Sequence, residues 1–165
     1  IGAGIDLYYS QAIRHEMSES GSGFAHLNNI CVKSTNNSYT KEGLLLFDHG
    51  DDLEIEFELN FKKEIANPAV KIVILNKELF PVANCYSEFD EYKIKKTEDS
   101  QLIRLLIPDL QLNSGVYSIT IAVIDTHSTE ILLRKDNCTF FQVMTSYTSW
   151  SYFNLKGKWS DCSHN

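Results

Sequence analysis

Basic residues are in short supply: 15 Lys and Arg stand against 22 Asp and Glu, for a formal net charge of −7. A polyanionic partner requires clustered cations to neutralise its phosphates, so nucleic acid is excluded. Long apolar runs are also lacking, none approaching the roughly 18–20 residues that cross a bilayer. The N-terminus has no basic, apolar, small-residue succession of a signal peptide, so a soluble chain is expected. No G-x-x-x-x-G-K-[ST] loop occurs, and Gly157-Lys158 lacks the rest of that motif, so nothing here would cradle a nucleotide phosphate. There is neither a G-x-S-x-G elbow nor an H-E-x-x-H pair. With no nucleophile beside a base and no metal-ligand spacing, neither an enzyme nor a cofactor is expected.

The four cysteines, Cys31, Cys85, Cys138 and Cys162, form no C-x-x-C pair, which removes the usual zinc spacing. Cys31 and Cys85 are 54 positions apart, near the separation of the inter-sheet bridge of immunoglobulin domains, but no Trp lies between them. Buried free thiols are the expectation, since reduced Cys behaves as a small hydrophobe, and that favours a reducing compartment. The sequons at Asn36 and Asn137 are short enough to occur by chance.

What is present is alternation. In DLEIEFELNFK, residues Leu53, Ile55, Phe57, Leu59 and Phe61 alternate with Glu54, Glu56, Glu58 and Asn60. Successive side chains of a strand point to opposite faces, so this run has one buried face and one wet face. The tract IPDLQLNSGVYSITIAVID, from Ile107 to Asp125, places Tyr117, Ile119, Ile121 and Val123 on one face behind a Pro and a Gly turn. Its L-x-L-x-x-G-x-Y approach has the form of a tyrosine corner, in which the Tyr hydroxyl bonds back across the preceding connection. HLNNICVK offers Leu27, Ile30 and Val32 to a core, with a bulge at the Asn pair. AVKIVILN is apolar on both faces, and Pro81 assigns LFPVANCY to an edge or a bulge. LIRLLI, EILLRK, CTFFQVMT and a last aromatic run complete about nine strands with no long helix, which predicts an all-β, immunoglobulin-like antiparallel sandwich. Residues 1–23 read as a linker or extension, with Ile5, Leu7, Tyr8 and Ile13 suited to a short turn or added strand; residues 24–160 form the sandwich and 161–165 a tail.

Three constellations invite a chemical reading. The Glu54, Glu56, Glu58 stripe has the spacing of a strand's solvent face, which explains it without catalysis. FDHGDD gathers Asp48, His49, Asp51 and Asp52, whose carboxylate oxygens suit a divalent cation and equally a polar turn entering a strand. The aromatic ending is more specific: Phe140 and Phe141 are followed by Tyr147, Trp150, Tyr152, Phe153 and Trp159. If Phe141 and Val143 face the core, then Phe140, Gln142 and Met144 face away, and a last strand would show Trp150, Tyr152 and Asn154 on one side. Flat rings for the C–H face of a pyranose, mixed with amides for its hydroxyls, are what binding a sugar needs. The same rings would equally fill a core or a subunit interface.

The pieces SGSGFAHLNNICV, FDHGDDLEIEFEL, VKIVILNKELFPVANC, IPDLQLNSGVYSITIAVID, TFFQV and GKW follow one another from Ser20 to Trp159. In that order they resemble the C-terminal domain of Wzt, the nucleotide-binding subunit of ABC transporters that export O-antigen polysaccharide. The resemblance implies a cytoplasmic bacterial glycan-binding module at the inner face of the inner membrane, with an ATPase domain upstream that engages the transmembrane subunit. It implies recognition of the finished O-antigen polysaccharide, often at its modified non-reducing end, and homodimers formed by exchange of C-terminal strands. Counting faces on that scaffold gives Asn84, Phe140, Gln142, Trp150, Tyr152 and Asn154 as sugar-binding residues. The ring-bearing end, Phe153, Leu155 and Trp159, is then assigned to the dimer interface. The rival is an extracellular adhesin or pilus-type sandwich that binds a protein and carries disulfides.

Overall fold

The strand beginning at Leu53 sets the architecture. Along β5 (Leu53–Phe61) burial alternates at every position, with Leu53, Ile55, Phe57 and Leu59 fully buried and the intervening Glu54, Glu56, Glu58 and Asn60 partly open. In this computed structural model, which describes residues 17–34, 38–41, 43–95, 99–146 and 149–160, β5 is the centre of a small sheet. Its neighbours are β2 (Ala25–Ser34) and β8 (Gln101–Ile107), both antiparallel to it. On its wet face Glu56 accepts from Lys33 Nζ at 2.6 Å and from Arg104 Nη2 at 2.6 Å, and these hydrogen bonds, Lys33 first, hold its carboxyl below the usual range. The acidic stripe lies on the strand's solvent face, as its spacing suggests, and Glu54 and Glu56 pair there with Lys33 and Arg104 of the neighbouring strands.

Among the described residues the opposing sheet has seven strands. Its members are β1 (Ser18–Ser20), β3 (Ser38–Tyr39), β4 (Leu45–Asp48), β6 (Pro68–Asn76), β7 (Pro81–Tyr86), β9 (Gly115–Asp125) and β10 (Glu130–Met144). The order is β3-β4-β10-β9-β6-β7, with β1 also on β10, and every pair is antiparallel except β4 with β10. EILLRK and CTFFQVMT, two strands by sequence, are one 15-residue strand interrupted by a bulge between Lys135 and Thr139, where Asn137 takes a φ of 53°. That length lets β10 hold β1 at its start and β4 at its end. Part of the stretch read as a linker, Ser18–Ser20, is thus paired strand. The Asn28–Asn29 bulge forms as the sequence suggests, and Pro81 does begin an edge strand, where its missing N–H strands no partner.

Between the sheets, Phe141 stacks on Tyr117 with ring centroids 5.6 Å apart and meets Phe47 edge-on at 5.1 Å. Tyr117 also closes the anticipated corner, its hydroxyl donating to the Asn113 carbonyl at 2.9 Å. Burial, then the neighbouring Tyr152, pushes that hydroxyl up to about 12 from its ordinary value near 10. A raised acid pKa means that the unfolded chain loses its proton first. The stabilisation is therefore fully present below pH 10 and lost as pH rises through about 12. Urea midpoints measured across that window are expected to fall, and Tyr117→Phe, besides losing about 1 kcal/mol with the hydrogen bond, is expected to flatten the fall.

Cys31, Cys85 and Cys138 are free, so no bridge joins Cys31 to Cys85. Burial holds for only part of the set: Cys31 is exposed on β2, whereas burial pushes the Cys138 thiol up to about 11. Cys162, His15, His164, Asn36, Tyr147 and the N-terminal apolar positions Ile5 to Ile13 lie outside the described residues.

Candidate functional site

The outer face of the larger sheet, away from the small sheet, is built by strand register. Asn84 on β7 lies opposite Val73 on β6, which lies opposite Thr120 on β9. One row along, Leu75, Ser118 and Phe140 align across β6, β9 and β10, and Val116 then pairs with Gln142. Because β-strand faces alternate, Asn84, Phe140 and Gln142 share this one face, while Phe141 and Val143 are fully buried on the other. At its centre are small hydroxylated residues, Ser118 at 1% exposure and Thr120 at 3%, recessed among larger neighbours. Thr120 Oγ1 donates to Asp136 Oδ1 at 3.0 Å.

At the end of this face opens a cleft of about 320 Å³. One wall is Asn76, Lys77 and Glu78 from the turn after β6; the floor is Ser114 to Tyr117 at the start of β9; the other wall is Ser149 to Tyr152. Val116 lines the cleft and also pairs with Gln142, so cleft and face are continuous. Trp150 projects with 99% exposure. Tyr152 is fixed instead, its hydroxyl accepting from Asn76 Nδ2 at 2.8 Å and its carbonyl from Asn113 N at 2.9 Å.

The segment that carries these rings is not the last strand expected from sequence. Among the described residues its one ladder contact is the Leu112–Phe153 bridge. Ser149 and Ser151 account for the difference, since Ser151 N donates to Ser149 Oγ and Ser151 Oγ to the Phe153 carbonyl, local bonds that compete with a ladder. Trp150, Tyr152 and Asn154 consequently do not share a strand face. Asn154 stands beyond the cleft, where its N–H donates to the Gln111 carbonyl at 3.0 Å. Lys156 Nζ reaches Asp109 Oδ1 at 2.5 Å and holds that carboxyl below its usual range.

Phe153 and Leu155 border a second, more apolar cavity of about 250 Å³ against Ile72, Ile74 and Cys85, with Asn84 at its rim. Trp159 is 97% exposed. The sequence reading missed Asn76, Lys77, Glu78 and Ser114, whose place in the cleft depends on two turns converging. The break between AVKIVILN and LFPVANCY was visible in sequence, but not what it faces. In FDHGDD the side chains stabilise the turn: Asp48 N donates to Asp51 Oδ2, Asp109 N to Asp52 Oδ1, and His49 Nδ1 to the Leu112 carbonyl. Among the described residues no group of three His, Cys, Asp or Glu is placed to hold a metal.

The sequence model of the Wzt C-terminal domain matches residues 16–155. The chain belongs to that family. A crystal structure of the C-terminal domain of Wzt superposes with a TM-score of 0.75 at 16% identity, covering 90% of each chain. A Niemann-Pick type C2 protein from Japanese carpenter ant superposes with a TM-score of 0.52 at 9% identity, over 78% of this chain and 98% of its own. These likenesses establish the sandwich fold. No curated protein matches the sequence. Membership in the Wzt C-terminal family supports a carbohydrate-binding role in an O-antigen ABC transporter and is compatible with a domain that performs no catalysis.

Proposed function

We propose that this Wzt-family domain binds O-antigen polysaccharide, at its modified non-reducing end, and delivers it for export. One observation carries the reading: the exposed Trp150 ring and the anchored Tyr152 border a cleft of hydroxyls and an amide that runs into the face bearing Gln142, Phe140 and Asn84. Rings supply the apolar contact for a pyranose, while the hydroxyls of Ser114 and Ser151 supply directional partners for its own. Selectivity would come from buried polar groups that a wrong sugar leaves unpaired, at about 1–3 kcal/mol each. In this reading the module sits at the cytoplasmic face of the inner membrane and acts through an upstream ATPase domain on the transmembrane subunit. The free Cys31, Cys85 and Cys138 suit that compartment better than a disulfide-bearing adhesin.

Trp150→Ala and Tyr152→Ala are each expected to weaken retention on the cognate polysaccharide roughly tenfold, while circular dichroism stays that of the parent. Retention unchanged in both would remove this surface from consideration. The domain is further proposed to dimerise by exchanging its C-terminal segments, burying Phe153, Leu155 and Trp159, of which Trp159 meets almost nothing in the single chain. A dimer mass is expected in light scattering at micromolar concentration; a monomer mass there would count against the exchange.

A further inference from the structure

Charge in and around the cleft narrows the class of sugar. Lys77 brings a cation to the cleft wall, and its Nζ lies 3.3 Å from Oε1 of the adjacent Glu78, which lines the same wall. The pair contributes no net charge. Among the described residues the other polar side chains lining the cleft are uncharged: the hydroxyls of Ser114, Tyr117, Ser149, Ser151 and Tyr152 and the amide of Asn76. On the adjoining face Arg134 Nε is engaged by Asp136 Oδ1 at 2.9 Å, and Lys71 Nζ sits 5.8 Å from the centre of the Tyr86 ring. The surrounding chain carries a net charge of −7. A carboxylate, phosphate or sulfate on an incoming sugar would meet Glu78 as soon as it reached Lys77, and would lose its water against a like-charged background.

We propose that the glycan recognised in this cleft is uncharged, built of sugars that carry hydroxyl or apolar substituents and no uronate, phosphate or sulfate at the residue bound. The inference rests on the glycan-binding reading and specifies its substrate class. A matching sugar offers its C–H face to Trp150 and its hydroxyls to the serines, and needs no counter-ion. Binding should then be nearly independent of ionic strength, since no ion pair forms on association.

The test is a glycan array bearing neutral oligosaccharides beside uronate-, phosphate- and sulfate-bearing ones, probed with the domain at low and high salt. Retention of neutral glycans that is unchanged by salt, with the acidic ones left unbound, is the expected result. Strongest retention on acidic glycans, lost at high salt, would overturn the inference and leave glycan binding intact. Retention of neither class would overturn the glycan-binding reading itself, and this inference with it. Glu78→Gln supplies an internal check. With Glu78 made neutral the cleft wall gains one unit of positive charge, and retention of tetragalacturonate is expected to rise roughly fivefold at low salt. Acidic glycans bound equally by parent and variant, and as well as neutral ones, would contradict the role given to the pair.

Discussion

Phe141→Ala is expected to destabilise the domain by about 3–5 kcal/mol, whereas Phe140→Ala, one position earlier, is expected to cost about 1 kcal/mol or less. The two rings are neighbours on β10 and point to opposite faces. Phe141 is fully buried, stacked on Tyr117 and edge-on to Phe47, so its removal opens a cavity bounded by β4, β9 and the small sheet. Those neighbours are themselves held by the hydrogen-bond ladders of β10 to β9 and β4, which limits their collapse into the gap. A loss of that size is a large share of the 5–15 kcal/mol that holds a typical domain together. Phe140 lies on the outer face beside Ser118, and its loss should be felt in glycan retention more than in unfolding. Urea denaturation of the two variants decides the matter. Equal destabilisation would mean that the faces of β10 have been assigned wrongly, and with them the face that carries Gln142.

This alternation is also why so much of the fold was legible in the sequence. The period of two in Leu53–Phe61 and in the Tyr117 strand is imposed by a buried face, and a one-residue slip would have turned every one of those side chains to water. The Tyr117 corner was readable for a similar reason: its hydroxyl must find an acceptor close by in the chain, and Asn113 is four residues away. Local chemistry misled where it outweighed periodicity. The bulge at Asn137 hid the continuity of β10, because the extra residues break the pattern although the strand continues beyond them. In the aromatic ending, alternating rings suggested a strand, but serine side chains satisfy the backbone there and leave a single bridge among the described residues.

The site was legible in part, and the division has a physical cause. Asn84, Phe140 and Gln142 could be placed on one face by counting, since each belongs to a regular strand and the register joins the strands in rows. Trp150 and Tyr152 do border a cleft, although neither stands on a strand and Asn154 is left outside it. The opposite wall comes from the turn after β6, some seventy residues earlier in the chain, and local sequence holds no record of such a meeting. Lys77 and Glu78 look like solvated turn residues until their wall of the cleft is seen to face Trp150.

Asn76→Ala should couple these two parts of the molecule, costing about 2–3 kcal/mol of stability and, in addition, weakening glycan retention through a ring it does not alter. The Asn76 side chain is 3% exposed and fully employed. Its Oδ1 accepts from Glu78 N at 3.0 Å and Phe80 N at 2.8 Å, closing the turn in which Leu79 takes a φ of 63°. Its Nδ2 donates to the Tyr152 hydroxyl at 2.8 Å and so ties the two cleft walls together. Alanine would leave two backbone N–H groups without their acceptor and let the Tyr152 ring swing, and a ring that must be ordered on binding gives less affinity than one already held. Tyr152→Phe separates the contributions, since it removes only the tie and should cost about 1 kcal/mol. In a double-mutant cycle the two substitutions are expected to show a coupling near that same value, in stability and in retention on the polysaccharide. Additive effects, with no coupling in either measurement, would mean that Asn76 supports its turn alone and that Tyr152 owes its position to the Asn113 backbone bond.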